Sequence, residues 1–349
     1  MFSNHSWLSL AAAAMGASGL SLLPLAPGPI QAQADAPKEV RVYSGRHYSS
    51  DNALYQQFTK ATGIQVRLLE SNDSAILERL RNEGKNSSAD LLILVDAAKL
   101  ADATEQGLFQ SVSSAELMRD VPLSLRDARG RWYGLTRRVR ALAINPSLVN
   151  SSTLNTYADL AKPALKGKVC LRNRNNVYNQ SLVADQMILR GEKATANWIK
   201  RLVTNLGQPV FTSDTTLARA VAKGQCGVGL VNSYYVARML DGQSGAADKT
   251  LARRILIKYP NPAHVNVSGA GVTRYAKNKS EAIRLIEFLS SPSAGEGFAR
   301  GSLEYPLKGF GNSQILKGFG SFKPDGVSAA QLGDKNKAAV ALMAANGWK

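Results

Sequence analysis

The run "DLLILVD" (90–96) sets five apolar residues in a row between two acids. A strand with one wet face alternates apolar and polar residues. An unbroken run suits a parallel strand with helices covering both faces, which places the chain in the α/β class. The surrounding pattern agrees. "EVRVYSG" (39–45) reads as a strand, and a helix follows from Asp51, an N-cap candidate, through Leu54, Tyr55 and Phe58 to a stop at Gly63. "IQVRLLE" (64–70) is the next strand and "SAILERLRNEG" (74–84) the next helix.

The same alternation returns later. "GKVCLRN" (167–173), "PVFTSD" (209–214) and "CGVGLVN" (226–232) read as strands, with helices at 194–207 and 216–224 between them. Two βαβαβ units, near 39–96 and 167–232, predict two doubly wound lobes. The segment "GLTRRVRALAINP" (134–146) is extended in character and leads from one lobe to the other. "HVNVSGAGVTRY" (264–275) brings the chain back, and a helix follows over 280–292 with Ser280 as cap and Ile283, Ile286 and Leu289 on one face. The expected division is lobe 1 at 38–138, lobe 2 at 139–268, and the rest of lobe 1, with C-terminal helices, at 269–349. Two crossings between lobes make a hinge.

Residues 1–34 read as a signal peptide, with an apolar stretch from Trp7 to about Ala26 and small residues at Ala32 and Ala34. The stretch lacks the usual basic residue, since no Lys or Arg precedes Lys38, so an uncleaved anchor is the alternative. No later segment is apolar enough to span a bilayer. A soluble exported protein is expected. Its net charge of +17 suggests an anionic partner, an anionic surface or buried anions needing counter-charge. The basic residues cluster at Arg137, Arg138 and Arg140 and at Lys166, Lys168, Arg172 and Arg174, without interleaved aromatics, so nucleic acid is not an expected partner.

In doubly wound sheets ligands bind beyond the carboxyl ends of the strands. Those ends carry "SGRHYSSD" with His47 and Tyr48, "RNNVYNQS" with Tyr178, and "LVNSYYVA" with Tyr234 and Tyr235. Adjacent residues diverge in a strand or a helix, so two neighbouring phenols are expected to share a cleft only from a turn past the strand end. The plainer reading is one core tyrosine and one surface tyrosine. Four tyrosines and a histidine at three strand ends favour the cleft. Arg46, Arg172 and Arg174 flank them, either as counter-charges or as solvated surface residues. His264, in the returning segment, is a weaker candidate for a metal role.

"YSGRHYSSDNALYQQFTKATGIQV", "VYNQSLVA", "LVNSYYVARML", "HVNVSGAGV" and the closing "EYPL" are together similar to the periplasmic ferric-iron-binding proteins of bacterial ABC importers. The similarity is greatest to the cyanobacterial Fut-type branch of the transferrin-like binding-protein superfamily, and it covers about 38–349. The resemblance implies a type II, Venus-flytrap binding protein of the periplasm. It implies Tyr48, Tyr178, Tyr234 and Tyr235 as phenolate ligands of Fe³⁺, with His47 a ligand in some members only. It also implies delivery to a membrane permease. A monomer that is not an enzyme is expected, and whether Fe²⁺ also binds stays open.

Elementary chemistry supports that set. Fe³⁺ is a hard ion that favours anionic oxygen, and tyrosinate is an iron ligand. Free phenol titrates near 10, so binding has to release protons. Four phenolates around Fe³⁺ leave about one net negative charge. Two other readings stay open: a binding protein for an organic or phosphate anion, and a secreted enzyme. Against the enzyme, the chain lacks H-E-x-x-H, G-x-S-x-G and G-x-x-x-x-G-K-[ST], and "GQCGVG" (224–229) begins a strand where a phosphate loop would follow one.

The two cysteines, Cys170 and Cys226, are too few for a thiolate metal site. Cys170 stands eight residues before Tyr178 and Cys226 eight before Tyr234. If their strands are neighbours, the thiols fall at matching depth and form a disulfide. The alternative is two small buried thiols.

Overall fold

The computed structural model describes residues 38–349, and the expected signal segment lies outside the described residues. Eight strands form the framework: β1 (Glu39–Ser44), β2 (Gln65–Glu70), β3 (Leu91–Val95), β4 (Tyr133–Ile144), β5 (Val169–Cys170), β6 (Val228–Asn232), β7 (Leu256–Lys258) and β8 (Val265–Val272). Their order is β2-β1-β3-β8-β4-β6-β5, with β7 on the side of β4. β1 is parallel to both β2 and β3, as a βαβαβ unit requires. Leu91 through Leu94 are fully buried, which accounts for the unbroken apolar run.

β4 joins the two halves. Its first part, to Val139, pairs antiparallel with β8, and from Arg140 onward it pairs with β6. β8 also borders β3, so the two extended segments read from the sequence are the central strands of one continuous sheet path.

Several local expectations need correction. Asp51 does not cap the helix Asn52–Thr62 with its side chain, because its carboxylate receives Arg46 instead. The later helix starts at Lys279 behind Asn278, ahead of Ser280. The segment 209–214 is no strand. Pro209 has no N–H to give, and only Phe211 is pinned, beside Arg172. β5 is correspondingly short. The helix Val177–Arg190 was not anticipated. Its residues Ser181 to Met187 are all buried, which erases the amphipathic period that reveals surface helices.

Cys170 and Cys226 are joined as a disulfide, with Cα atoms 6.0 Å apart. β5 and β6 are parallel neighbours, but Cys170 stands opposite Gly229. Cys226 lies ahead of β6, so the link runs diagonally from a strand to the turn before its neighbour.

Candidate metal centre

Each candidate phenol sits where a strand gives way to a helix. Tyr48 is the N-cap residue of the 3-10 turn Ser49–Asp51, which runs into the helix Asn52–Thr62. Tyr178 is the second residue of the helix Val177–Arg190, whose start is fixed by Asn176 accepting from the Asn179 amide. Tyr234 and Tyr235 are the second and third residues of the helix Ser233–Asp241. This corrects the expected turn: the paired phenols stand in a first helical turn. They point the same way nonetheless, with rings stacked at 4.3 Å. Helix N-termini carry partial positive charge, so this arrangement favours anions at all three places.

The four phenols converge. The Tyr234 hydroxyl donates to the Tyr178 hydroxyl at 3.4 Å. The Tyr48 ring meets the Tyr234 ring edge-on at 6.3 Å. Tyr234 is buried, while Tyr48, Tyr178 and Tyr235 are half-buried. His47 is exposed, its ring 6.1 Å from that of Tyr48.

Beneath the phenols lies a buried charge network. Arg46 donates to Asp51 at 2.8 Å and to Glu304, and Arg138 donates to the other Glu304 oxygen at 3.1 Å. Ser268 accepts from both arginines, and Thr136 donates to Glu304. Gly45, next to Arg46, leaves room for the Asp73 carboxylate, which a Cβ there would meet. The Arg138 guanidinium lies 5.7 Å from the rings of both Tyr178 and Tyr234, and its Nη1 has no hydrogen-bond partner among the described residues. Arg172 faces Tyr178 at 5.9 Å while bridging to Asp214, which also receives Arg140.

Arg174 departs from expectation. It is exposed and donates to the Trp348 carbonyl, away from the phenols. The basic run around Arg138 is no surface patch either, because Arg138 and Arg140 are both buried and ion-paired.

Three contributors escaped the sequence reading as site residues: Arg138, Glu304 and Arg238. Arg238 stacks over the Tyr48 ring at 4.9 Å, opposite in sequence terms to Arg46, which lies at the same distance. A signal for Arg238 existed, since it follows Tyr234 by one helical turn. Glu304 opens the "EYPL" motif, but at 258 residues from Arg46 nothing in the sequence signalled their pairing.

Burial sets the proton affinities. It pushes the Tyr48 phenol up to about 12, with Glu304 adding to the shift and Arg138 opposing it. Tyr234 and Tyr235 are raised well above the ordinary phenol value, first by burial and then by the neighbouring phenol Tyr178. Glu304 goes the other way: Arg138 and Arg46 overcome its burial and hold it at about 2. The site therefore keeps the Tyr48, Tyr234 and Tyr235 phenols protonated over a charge-balanced floor, and a strongly polarising cation is needed to displace those protons.

Residues 53–306 match the family model described as bacterial extracellular solute-binding protein. The chain belongs to that family. It is 41% identical to iron uptake protein A1 of Synechocystis over 324 residues, covering 90% of each chain. It is 37% identical to iron uptake protein A2 of the same organism, covering 96% of this chain and 97% of that one. Among solved structures, the Trichodesmium IdiA/FutA protein in complex with iron and citrate superposes with a TM-score of 0.86 at 40% identity. The match covers 89% of this chain and all of that one. Family membership agrees with the two-lobed architecture, and the expected resemblance extends over the whole described chain.

Proposed function

We propose that this family member captures ferric iron in the periplasm and hands it to the membrane permease of an ABC importer. The observation that carries the reading is the convergence of four phenols from three helix N-termini above Arg138. Tyr48, Tyr178, Tyr234 and Tyr235 are the proposed ligands, and His47 a fifth that can join or leave because it is exposed. The relatives named for iron uptake and the relative solved with iron support the same cargo. The charge left over by four phenolates and Fe³⁺ is about one negative unit. Arg238, and the surplus of Arg140 and Arg172 over Asp214, can balance it.

The lobe boundaries follow the same logic. β4 changes partners between Val139 and Arg140, close to the proposed division at 138. An organic- or phosphate-anion binder is disfavoured by the network. Arg46 and Arg138, directly beneath the phenols, are already matched by Asp51 and Glu304. No step of chemistry on a substrate is needed.

The test is spectroscopic. Phenolate-to-Fe³⁺ charge transfer colours the loaded protein red-orange, and Tyr→Phe removes one anionic oxygen while keeping the ring. Tyr48→Phe, Tyr178→Phe, Tyr234→Phe and Tyr235→Phe should each weaken iron retention and shift or bleach the band. His47→Ala should weaken it less than Tyr48→Phe. Parent-like binding by both Tyr234→Phe and Tyr235→Phe would refute the ligand assignment.

A further inference from the structure

A second group of metal-ligating side chains lies away from the phenols. His264 immediately precedes β8, Asp185 stands on the helix Val177–Arg190, and Asp325 lies in the segment leading to the C-terminal helix Ala329–Ala345. Their side chains are 3%, 1% and 2% exposed. One ligand atom from each lies within 4.8 Å of the other two.

The hydrogen bonds around the group leave its centre unsatisfied. The far oxygen of Asp185 accepts from the Gln186 amide nitrogen at 2.9 Å. The far oxygen of Asp325 accepts from the Val327 amide at 2.8 Å. The near oxygens, Oδ1 of Asp185 and Oδ2 of Asp325, each lie 3.7 Å from His264 Nδ1. Among the described residues, all three facing atoms lack a hydrogen-bond partner. An Nδ1–H has one proton and can serve only one carboxylate. The other would remain buried and unmatched, which is costly. An imidazolium between two carboxylates would also leave one negative charge in the interior.

A divalent cation satisfies all three atoms at once and brings the group to neutrality with a neutral imidazole. These separations leave a point about 2.0–2.4 Å from each atom, the range of transition-metal bonds to imidazole and carboxylate. The surroundings hold the donors in place. Ala263 exchanges backbone hydrogen bonds with Lys323 and Asp325, and the His264 amide donates to the Tyr157 hydroxyl at 2.9 Å. We propose that Asp185, His264 and Asp325 form a structural site for a divalent transition-metal ion of the zinc or manganese kind. The ion would tie the Tyr178 helix, the returning strand and the C-terminal segment together. With so little exposure, it would be captured as the chain folds.

The test is to unfold the mature chain in chelator, refold it with Zn²⁺ or with Mn²⁺, dialyse, and count metal by mass spectrometry. The parent and Tyr234→Phe/Tyr235→Phe should retain one equivalent. Asp185→Asn and His264→Gln should lose it by more than about tenfold while the ferric colour survives. Retention by neither refolded parent sample, or retention unchanged in both single variants, would overturn the proposal. If the variants do not fold, X-ray absorption on the zinc-loaded His47→Ala/Tyr234→Phe/Tyr235→Phe protein decides, because His264 is then the one histidine of the mature chain. One imidazole with oxygen ligands near 2.0–2.2 Å supports the site, and any other shell refutes it.

Discussion

Glu304 is the residue on which the floor of the cleft depends. It is buried and shared by Arg46 and Arg138, so Glu304→Gln leaves two guanidinium groups short of one negative charge. Breaking a buried pair costs about 3–5 kcal/mol, and denaturant unfolding of the iron-free protein should show a loss of that size. The pH dependence follows from the lowered value. A carboxyl held at about 2 contributes stability that is complete above its ordinary range and is lost as pH falls through that value. The acid limb below about pH 4.3 should therefore be shallower in Glu304→Gln than in the parent. The phenols behave oppositely. Burial raises Tyr48, Tyr234 and Tyr235, so their share of metal-free stability is present below about pH 10 and lost as pH rises towards and past 12. On the proposed ligand set, iron displaces those same protons. Acidification should bleach the visible band, and loading from a weak chelate should release protons measurable in unbuffered solution.

At the scale of elements, the design is a strand end leading into a helix start, used three times, directly at Ser233 and through short loops before Ser49 and Val177. The strand fixes the depth of each phenol and the helix N-terminus supplies positive potential. The disulfide acts elsewhere, tying β5 to the turn before β6. It closes a separation of 56 residues, for which the chain-entropy model gives about 4 kcal/mol. Cys170→Ala/Cys226→Ala should lower the denaturation midpoint accordingly. The ferric spectrum should stay as in the parent, because each cysteine stands eight residues ahead of the next phenol, Tyr178 or Tyr234. A bleached band in the folded double variant would show that the bridge reaches the site.

For the whole molecule the question is how the halves meet. Tyr48, from the first βαβαβ unit, lies against Tyr234 and Arg238 of the second. Asp96 at the end of β3 accepts from Ser181 of the Tyr178 helix at 2.7 Å. The structure thus holds the halves together on the ligand side, with β4 and β8 as the crossings. Ligands drawn from both halves should stabilise this arrangement over an opened one. Small-angle scattering should give a smaller radius of gyration with iron than without. Identical profiles would indicate a cleft that stays closed and would remove the hinge role from β4 and β8.

Short-range pattern settled much of this protein before any packing was considered. Buried parallel strands demand apolar runs, so 90–96 revealed the α/β class, and strand ends located Tyr48, Tyr178, Tyr234 and Tyr235 near one another. These features are legible because they repeat with the period of the backbone or lie next to such a repeat. The helix Val177–Arg190 stayed hidden because a helix buried on most sides has no polar face to mark it. The arginines were legible as charge and illegible as position. Arg174 turned to the C-terminus, Arg138 went under the phenols, and Arg238 came over Tyr48. Their destinations depend on partners such as Glu304, distant along the chain. Ion pairing in the interior is a matter of three-dimensional proximity and desolvation, and neither leaves a periodic trace in the order of residues.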